Sequence, residues 1–367
     1  MSYITSIGTA NPPTKVSQAT IADFMVRAMK LSEYDARKLR TIFKASAIDT
    51  RYSALEDYTK SDHFLFYPNT PDFEPFPSTK DRSKAFQQFA LPLALHAIAS
   101  CLGKKPAFDV KSITHIITVS CTGMYAPGLD IDIVKSLALS PSIQRTCINF
   151  MGCYAAFNAI KLADTICQAH AHAKVLVVCV ELCSIHFQRE ATDDNMLANA
   201  LFADGAAALL MEPMPQPGLN LMTESFFCDI ASSGEDDMAW AIGDHGFEMK
   251  LSSYVPTVIQ SGIKQLSTAL LNQLNIQLTD ISFFAIHPGG KRILETIEKE
   301  LGLAKDQNKF SYHVLQNFGN MSSPTVLFVV NEICKSISST ENSKRIMSFA
   351  FGPGLTLESM ILKIEYH

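Results

Sequence analysis

Five stretches are apolar at nearly every position and rich in Val, Ile, Met or Ala: Ile113–Ser120, Lys174–Val180, Ala206–Met211, Ile281–His287 and Arg345–Phe351. Runs this short, apolar throughout, read as strands buried on both faces. Between them apolar positions recur at helical spacing, as in Tyr154–Ala169 and Ser322–Ser336. The pattern predicts an α/β protein with helices packed on a buried sheet. The opening Met1 to Thr9 reads as a further strand, since no basic segment leads into a long apolar block as a secretory leader requires. A Pro-rich connector, Glu212–Gly218, cannot continue a helix or a central strand. It predicts a boundary near residue 215, between a first half at 1–213 and a second at 219–367. A second Pro-rich stretch, Tyr67–Pro77, predicts a surface loop within the first half.

The chain also repeats itself. Thr118–Gly123 aligns with Ala285–Gly290, each the end of an apolar strand running into a glycine turn, which pairs Ser120 with His287 at an offset of 167 residues. Asn149–Phe157 aligns with Gln316–Pro324, each opening a helix, and pairs Cys153 with Asn320 at the same offset of 167. The strand at Lys174 matches that at Arg345 with an offset of 171, as a short insertion gives. Two copies of one α/β unit are implied. Around a pseudo-two-fold axis, Cys153 and Asn320 should then face each other.

Composition narrows the function classes. With 367 residues, 47% of them hydrophobic, the chain can fill a large core or two packed halves, and disorder is not expected. The formal charge of −5 and the absence of a clustered basic face argue against a nucleic-acid partner. The most apolar segments read as interrupted by charge or Gly within roughly a dozen positions, so no membrane span is expected. Nine cysteines without C-x-x-C pairs point to a reducing compartment, hence the cytoplasm, with most thiols filling the core. No Cys/His spacing suits zinc, and no metal is expected.

Three residues can carry chemistry. Cys153 follows Gly152 and precedes a helical opening, where the macrodipole favours thiolate. His287 ends a strand before Pro-Gly-Gly, where α/β folds place ligands. Asn320 stands in a crowded turn after Gly319. Taken singly, each has a structural reading: a core thiol, a satisfied strand-end imidazole, a helix cap or left-handed turn residue. Taken together, the repeat converges a nucleophile, an imidazole and an amide, a set suited to thioester acyl transfer.

The segments Gly152-Cys-Tyr-Ala155, Leu201-Phe-Ala-Asp-Gly-Ala206, Ile286-His-Pro-Gly-Gly290, Phe318-Gly-Asn-Met-Ser-Ser323 and Phe351-Gly-Pro-Gly-Leu-Thr356 resemble those of chalcone and stilbene synthases, the type III polyketide synthases. With Ile7-Gly-Thr-Ala-Asn-Pro12, the resemblance runs in order along nearly the whole chain, and its departures from the plant pattern suggest a bacterial-type member. It implies a thiolase-like five-layer αβαβα fold built from a duplicated unit, a homodimer, and a buried cavity reached through a CoA-binding tunnel. It implies malonyl-CoA and an acyl-CoA starter as substrates, with no cofactor beyond these thioesters. Cys153 would be the nucleophile, held as thiolate by a His287 imidazolium, while His287 and Asn320 polarise the thioester carbonyl. Phe202 corresponds to the gatekeeper between tunnel and cavity, and Gly352 and Pro353 adjoin the site.

Departures reshape the cavity. Met249 takes the place of a second gatekeeper Phe, Trp240 that of a cavity-lining Gly, and Cys183 and His186 those of small Thr-type residues. Ala126 stands where plant enzymes put a Met that reaches the partner's cavity. For the CoA phosphates the candidates are Lys44, Arg51, Lys291 and Arg292, with Gly289 and Gly290 beside them. Two alternatives remain: a ketoacyl synthase III-like fatty-acid condensing enzyme, and a non-catalytic thiolase-fold binder of acyl-CoA.

Overall fold

The computed structural model describes residues 1–231, 238–252 and 255–367. The first half contributes strands β1 (Tyr3–Ala10), β2 (Thr14–Ser17), β3 (Thr50–Ser53), β4 (His115–Ser120), β5 (Gln144–Asn149), β6 (Val175–Leu182) and β7 (Asp204–Glu212). Its helices are α1 (Gln18–Ala28), α2 (Glu33–Ala45), α3 (Thr79–Leu102), α4 (Leu129–Ser136), α5 (Ala155–Ala169) and α6 (Asp193–Leu201). The second half contributes β8 (Leu219–Ile230), β9 (Met238–Gly243), β10 (Gly246–Leu251), β11 (Ile281–Ile286), β12 (Arg345–Gly352) and β13 (Thr356–Tyr366). With them come α7 (Val255–Leu274), α8 (Lys291–Leu301), α9 (Lys309–Phe318) and α10 (Thr325–Ser336).

The repeat seen in the sequence is the plan of the sheet. Its order, β11-β12-β13-β8-β1-β7-β6-β4-β5, contains one four-strand pattern twice, β1-β7-β6-β4 and β8-β13-β12-β11. In each copy the first three strands pair antiparallel and the last pair is parallel. Within the sheet the copies pair where Tyr3 and Ile4 meet Met222 and Leu221.

Strand periodicity builds the layers, because alternate side chains leave opposite faces. On β6, Leu176, Val178 and Val180 pack outward with residues of α1 and α3, while Val175, Val177 and Cys179 pack inward against α5 and α10. On β12, Met347, Phe349 and Phe351 pack outward with residues of α7 and α8, while Ile346 and Ala350 join the same central layer. The result is helix, sheet, helix, sheet, helix, the five layers expected, with the repeat-related α5 and α10 in the middle.

Two readings of the sequence change. Residues 67–77 form no regular element, yet Tyr67, Phe73 and Phe76 are buried in an aromatic cluster around Phe24 and Phe187, so this segment is partly core. Helix α3 is long and apolar enough, by length and composition, to cross a membrane; Ala85–Leu102 carries neither charge nor Gly, contrary to the expectation of frequent interruption. Here its Phe86, Leu93, Ala94 and Ile98 are buried in the outer layer of the first half.

Candidate active site

Four strand ends surround one chamber. Cys121 follows β4, Cys183 follows β6, His287 follows β11 and Pro353 follows β12. All four line a cavity of about 610 Å³ together with Cys153 and Asn320. These strand ends are repeat-related, so the duplication itself creates a site where the two halves meet.

Cys153 sits in a single 3-10 turn, Gly152–Tyr154, that leads into α5. Gly152 has φ +80, and a Cβ there would stand 2.2 Å from Pro353 Cδ, so only glycine lets the nucleophile turn press against the end of β12. Gly352 completes that contact, since a side chain on it would collide with the Tyr154 ring. Asn320 lies ahead of α10 as part of a short strand-like bridge: its N–H donates to the Leu201 carbonyl, and its own carbonyl accepts from the Ala203 N–H. It is not the helix cap, which is Pro324.

The offset of 167 residues is realised as contact. Cys153 Sγ lies 3.8 Å from Asn320 Oδ1 and 3.9 Å from Nδ2. The Ser322 N–H donates to Asn320 Oδ1 at 2.8 Å, which fixes the amide and leaves Nδ2 to donate toward the chamber, with long contacts to the Gly289 carbonyl at 3.4 Å and to Cys153 Sγ at 3.9 Å. His287 is 1% exposed, and neither ring nitrogen has a partner. A buried imidazole left wholly unsatisfied is costly in a structural role and expected where a ligand completes the site.

Burial works against the expected ion pair. Burial pushes the Cys153 thiol up to about 12, with buried Glu181 nearby adding to the rise. Burial likewise pushes His287 down to about 3. Desolvation thus favours the neutral thiol and the neutral imidazole, against the pull of the turn's dipole.

Around these three stands a framework that the sequence reading missed. Glu181, fully buried on β6, accepts from Cys121 N–H at 2.9 Å, Thr122 Oγ1 at 2.7 Å and Ser323 Oγ at 2.6 Å, tying the β4 turn to the Asn320 loop. Cys121 Sγ in turn accepts the Gly152 N–H at 3.1 Å. A lone acid in the otherwise apolar run Val175–Leu182 was the available signal. Cys121, Cys153 and Cys183 therefore line the chamber, rather than acting only as core fillers.

The remaining candidates divide among three places. Phe202, Met249, Trp240 and Cys183 line the chamber and also a second cavity of about 580 Å³, so they form the partition between the two. His186 borders only the second cavity. Its Nδ1 accepts the Phe247 N–H at 3.0 Å and its Nε2–H donates to the Thr122 carbonyl at 2.6 Å, so both nitrogens are committed and the ring is a post in the wall. Gly289, Gly290, Lys291 and Arg292 line a groove of about 820 Å³ beside α2 and α6, which shares Gly289, Leu251 and Ile293 with the chamber. Lys44 is exposed on α2 and does not line that groove. Arg51 is 4% exposed and borders the second cavity, not the groove at Gly289–Arg292. Ala126 is exposed, in a cleft beside β5 and outside the chamber.

A duplicated five-layer fold with a thiol, an imidazole and an amide at the junction of its halves is the architecture of a condensing enzyme. The family model for chalcone and stilbene synthases matches as an N-terminal domain over residues 1–215 and as a C-terminal domain over residues 226–365. The chain is 33% identical, over 99% of its length and 91% of the relative's, to an alpha-pyrone synthesis polyketide synthase-like protein, Pks18, of Mycobacterium tuberculosis. It is also 33% identical to probable polyketide synthase 1 of Dictyostelium discoideum, spanning 99% of this chain but 11% of that much longer one. Among solved structures, PKS-I of the brown alga Ectocarpus siliculosus superposes with a TM-score of 0.91 at 30% identity, covering 99% of this chain and 98% of that one. The C-terminal type III polyketide synthase domain of Steely1 from Dictyostelium gives 0.89 at 32% identity, covering 99% of each chain. The chain belongs to the chalcone and stilbene synthase family and is a type III polyketide synthase, an acyltransferase. The fatty-acid and non-catalytic alternatives are thereby set aside.

Proposed function

We propose that Cys153, His287 and Asn320 carry an iterative, decarboxylative condensation of malonyl-CoA onto an acyl-CoA starter, ending in a pyrone, resorcinol or phloroglucinol type of product. The observation that carries this reading is the set of polar groups around one thiol: the two unpartnered nitrogens of His287, one a donor and one an acceptor in the neutral ring, and the Asn320 Nδ2, which line one apolar chamber with Cys153. On binding of the starter, the Cys153 proton passes to His287, and the thiolate attacks the thioester carbonyl. Free CoA leaves and an acyl-Cys153 thioester remains. Malonyl-CoA then loses CO₂, and the enolate charge left on its thioester oxygen is held by N–H donors from His287 and Asn320. That carbanion attacks the acyl-Cys153 carbonyl, forms the new carbon–carbon bond and releases Cys153, giving a β-ketoacyl-CoA for the next round.

Because N–H groups hold the enolate, the chemistry calls for no cofactor beyond the CoA thioesters. The groove at Gly289–Arg292 supports a path for the pantetheine arm, with Lys291 and Arg292 at its phosphate end and Lys44 on the neighbouring helix. The first half, 1–213, supplies the nucleophile, and the second, 219–367, supplies His287 and Asn320. A cytoplasmic homodimer acting on free CoA thioesters, without nucleic-acid or membrane partners, completes the reading. The name of the Mycobacterium relative favours the pyrone among the products.

The decisive experiment is Cys153→Ala. Intact-protein mass spectrometry with acyl-CoA starters should show one acyl adduct on the native protein and none on the variant, and polyketide output should vanish at unchanged melting temperature. Elongation by Cys153→Ala at near the native rate would refute the assignment.

A further inference from the structure

Helix α9 ends at Phe318, directly before Gly319 and Asn320, and α6 ends at Leu201, directly before Phe202. The last four carbonyls of a helix have no donor inside it, so both ends need partners from elsewhere. On α6 the Ala198 carbonyl accepts the Phe202 N–H, and the Leu201 carbonyl accepts the Asn320 N–H at 2.9 Å. The Ala200 carbonyl accepts from Gln18 Nε2 at 2.7 Å, and the Asn199 carbonyl accepts from Arg51 Nη1 at 2.9 Å. Arg51 Nη1 donates to the Phe202 carbonyl as well. On α9 the Gln316 carbonyl accepts the Asp49 N–H at 2.8 Å, and the Asn317 carbonyl accepts from Thr50 Oγ1 at 3.0 Å.

These contacts run in register. Asp49 holds Gln316 a second time, its Oδ2 accepting from Gln316 Nε2 at 2.6 Å. Thr50 holds Asn317. Arg51 packs its stem on Gly319, where φ is +71 and a Cβ would stand 2.9 Å from Arg51 Cγ and Cδ. Tyr52 stacks on Phe318, with ring centroids 5.8 Å apart at an interplanar angle of 18°. Residues 49–52 of the first half thus track residues 316–319 of the second and stop where Asn320 begins. The Arg51 guanidinium is buried, 5.5 Å from the centroid of the Phe43 ring and at the C-terminal end of α6, where the macrodipole favours a cation.

We propose that residues 49–52 form a clasp that positions Asn320 for the decarboxylation of malonyl-CoA, with Arg51 as its principal positioning residue. None of the four lines the chamber. Their route to it is short: Arg51 holds Gly319 and the Phe202 carbonyl, and Phe202 and Asn320 share a bridge in which Asn320 donates to Leu201 and accepts from Ala203. Loosening the clasp shifts the Asn320 Nδ2 donor relative to the enolate oxygen. It leaves the nucleophile in place, because the Cys153 turn rests on Pro353 and Cys121 instead. The inference rests on the polyketide reading of the chamber and deepens it, giving a role to a segment that the CoA groove does not use.

The two half-reactions separate positioning from a general loss of structure. Decarboxylation draws on the Asn320 donor, whereas loading of the starter draws on Cys153 and His287. Native protein, Arg51→Met, Arg51→Lys, Asn320→Ala and the double variant Arg51→Met/Asn320→Ala are compared in two assays. One follows CO₂ release from malonyl-CoA; the other follows acyl transfer from hexanoyl-CoA to Cys153 by intact-protein mass spectrometry. Arg51→Met keeps the stem and removes the donors, and it should slow CO₂ release at least about tenfold, as a small misplacement of a reacting group does, with loading unchanged. Arg51→Lys, which retains one donor for the Phe202 carbonyl, should recover part of that loss. In the Asn320→Ala background Arg51→Met should cost nothing further, the non-additivity expected of residues that act through one another. Equal losses of both half-reactions in Arg51→Met overturn the proposal, as do losses that multiply fully in the double variant. Should Arg51→Met fail to fold, Thr50→Val, which deletes only the hydroxyl donor to Asn317, takes its place: slowed CO₂ release at unchanged loading supports the clasp, and native rates in both assays overturn it. Failure of the parent reading is distinguishable, because Asn320→Ala itself would then release CO₂ at the native rate.

Discussion

A nucleophile that burial disarms has to be armed by its substrate. With Cys153 pushed up and His287 pushed down by burial, the neutral forms of both are favoured, and a bound thioester would have to supply what draws the proton across. The sign follows for reactivity. A thiol whose pKa is raised loses its proton only at higher pH, so alkylation of Cys153 by iodoacetamide should climb with its inflection above the ordinary value of about 8.5. Glu181 is named among the causes of that rise. Glu181→Gln, which removes the negative charge and keeps an acceptor for Cys121, should therefore move the inflection to lower pH, as stopped alkylation at a series of pH values reads directly. An inflection below 8.5 in the native protein would restore the thiolate–imidazolium pair. At this scale the chain announces Cys153, His287 and Asn320 through a shared offset and glycine turns, because the duplication stamps equivalent positions on both copies. Glu181 stays hidden, since its partners Cys121, Thr122 and Ser323 come from distant segments that meet only in the fold.

Among the elements, the hairpin β9–β10 decides the shape of the chamber. Its register places Trp240 opposite Met249, and both reach the partition between the two cavities. Trp240 Nε1–H donates to the Cys121 carbonyl at 2.8 Å, and the indole packs on Phe150, His186 and Phe247. It is thus at once a cavity wall and a packing residue. Trp240→Gly should widen the product range and also lower stability, by about 2–4 kcal/mol for a half-buried aromatic that loses one hydrogen bond. Product spectra and thermal melts on one preparation check both halves of the expectation. A stability loss with unaltered products would leave the indole a packing residue alone. The hairpin was not legible in the sequence, and the reason is physical: Ala241, Ile242, Glu248 and Lys250 are exposed, so its apolar positions are too few to mark a period. The strands legible as apolar runs, β4, β6, β7, β11 and β12, are mostly buried and apolar, and β1 is read from the opening residues, whereas β13, equally buried, is interrupted by Glu358, Ser359 and Lys363 and goes unread.

For the molecule as a whole, the unfinished feature is the rim of the sheet beyond β4. Strand β5 is an edge, paired only with β4, and five of its six residues are exposed. Such an edge offers unpaired backbone groups and is ordinarily covered or blunted. Next to it lie the exposed Met124, at 43%, and the exposed Ala126 and Pro127, around a cleft of about 670 Å³. An exposed apolar patch beside an open edge is the surface a second copy would cover, and it brings residue 126 to the boundary between the copies. The homodimer proposed above should therefore use this rim. Sedimentation equilibrium of the native protein should give twice the 40.4 kDa chain mass. Met124→Asp puts a charge into the proposed contact without entering the chamber of its own chain, and it should shift the mass toward one copy at micromolar concentration. Its melting curve should keep a single cooperative transition, because Met124 is already half in solvent and its loss removes little core. A native mass of one copy, or a Met124→Asp protein that stays fully dimeric, would move the interface elsewhere and detach residue 126 from any role beyond its own chain.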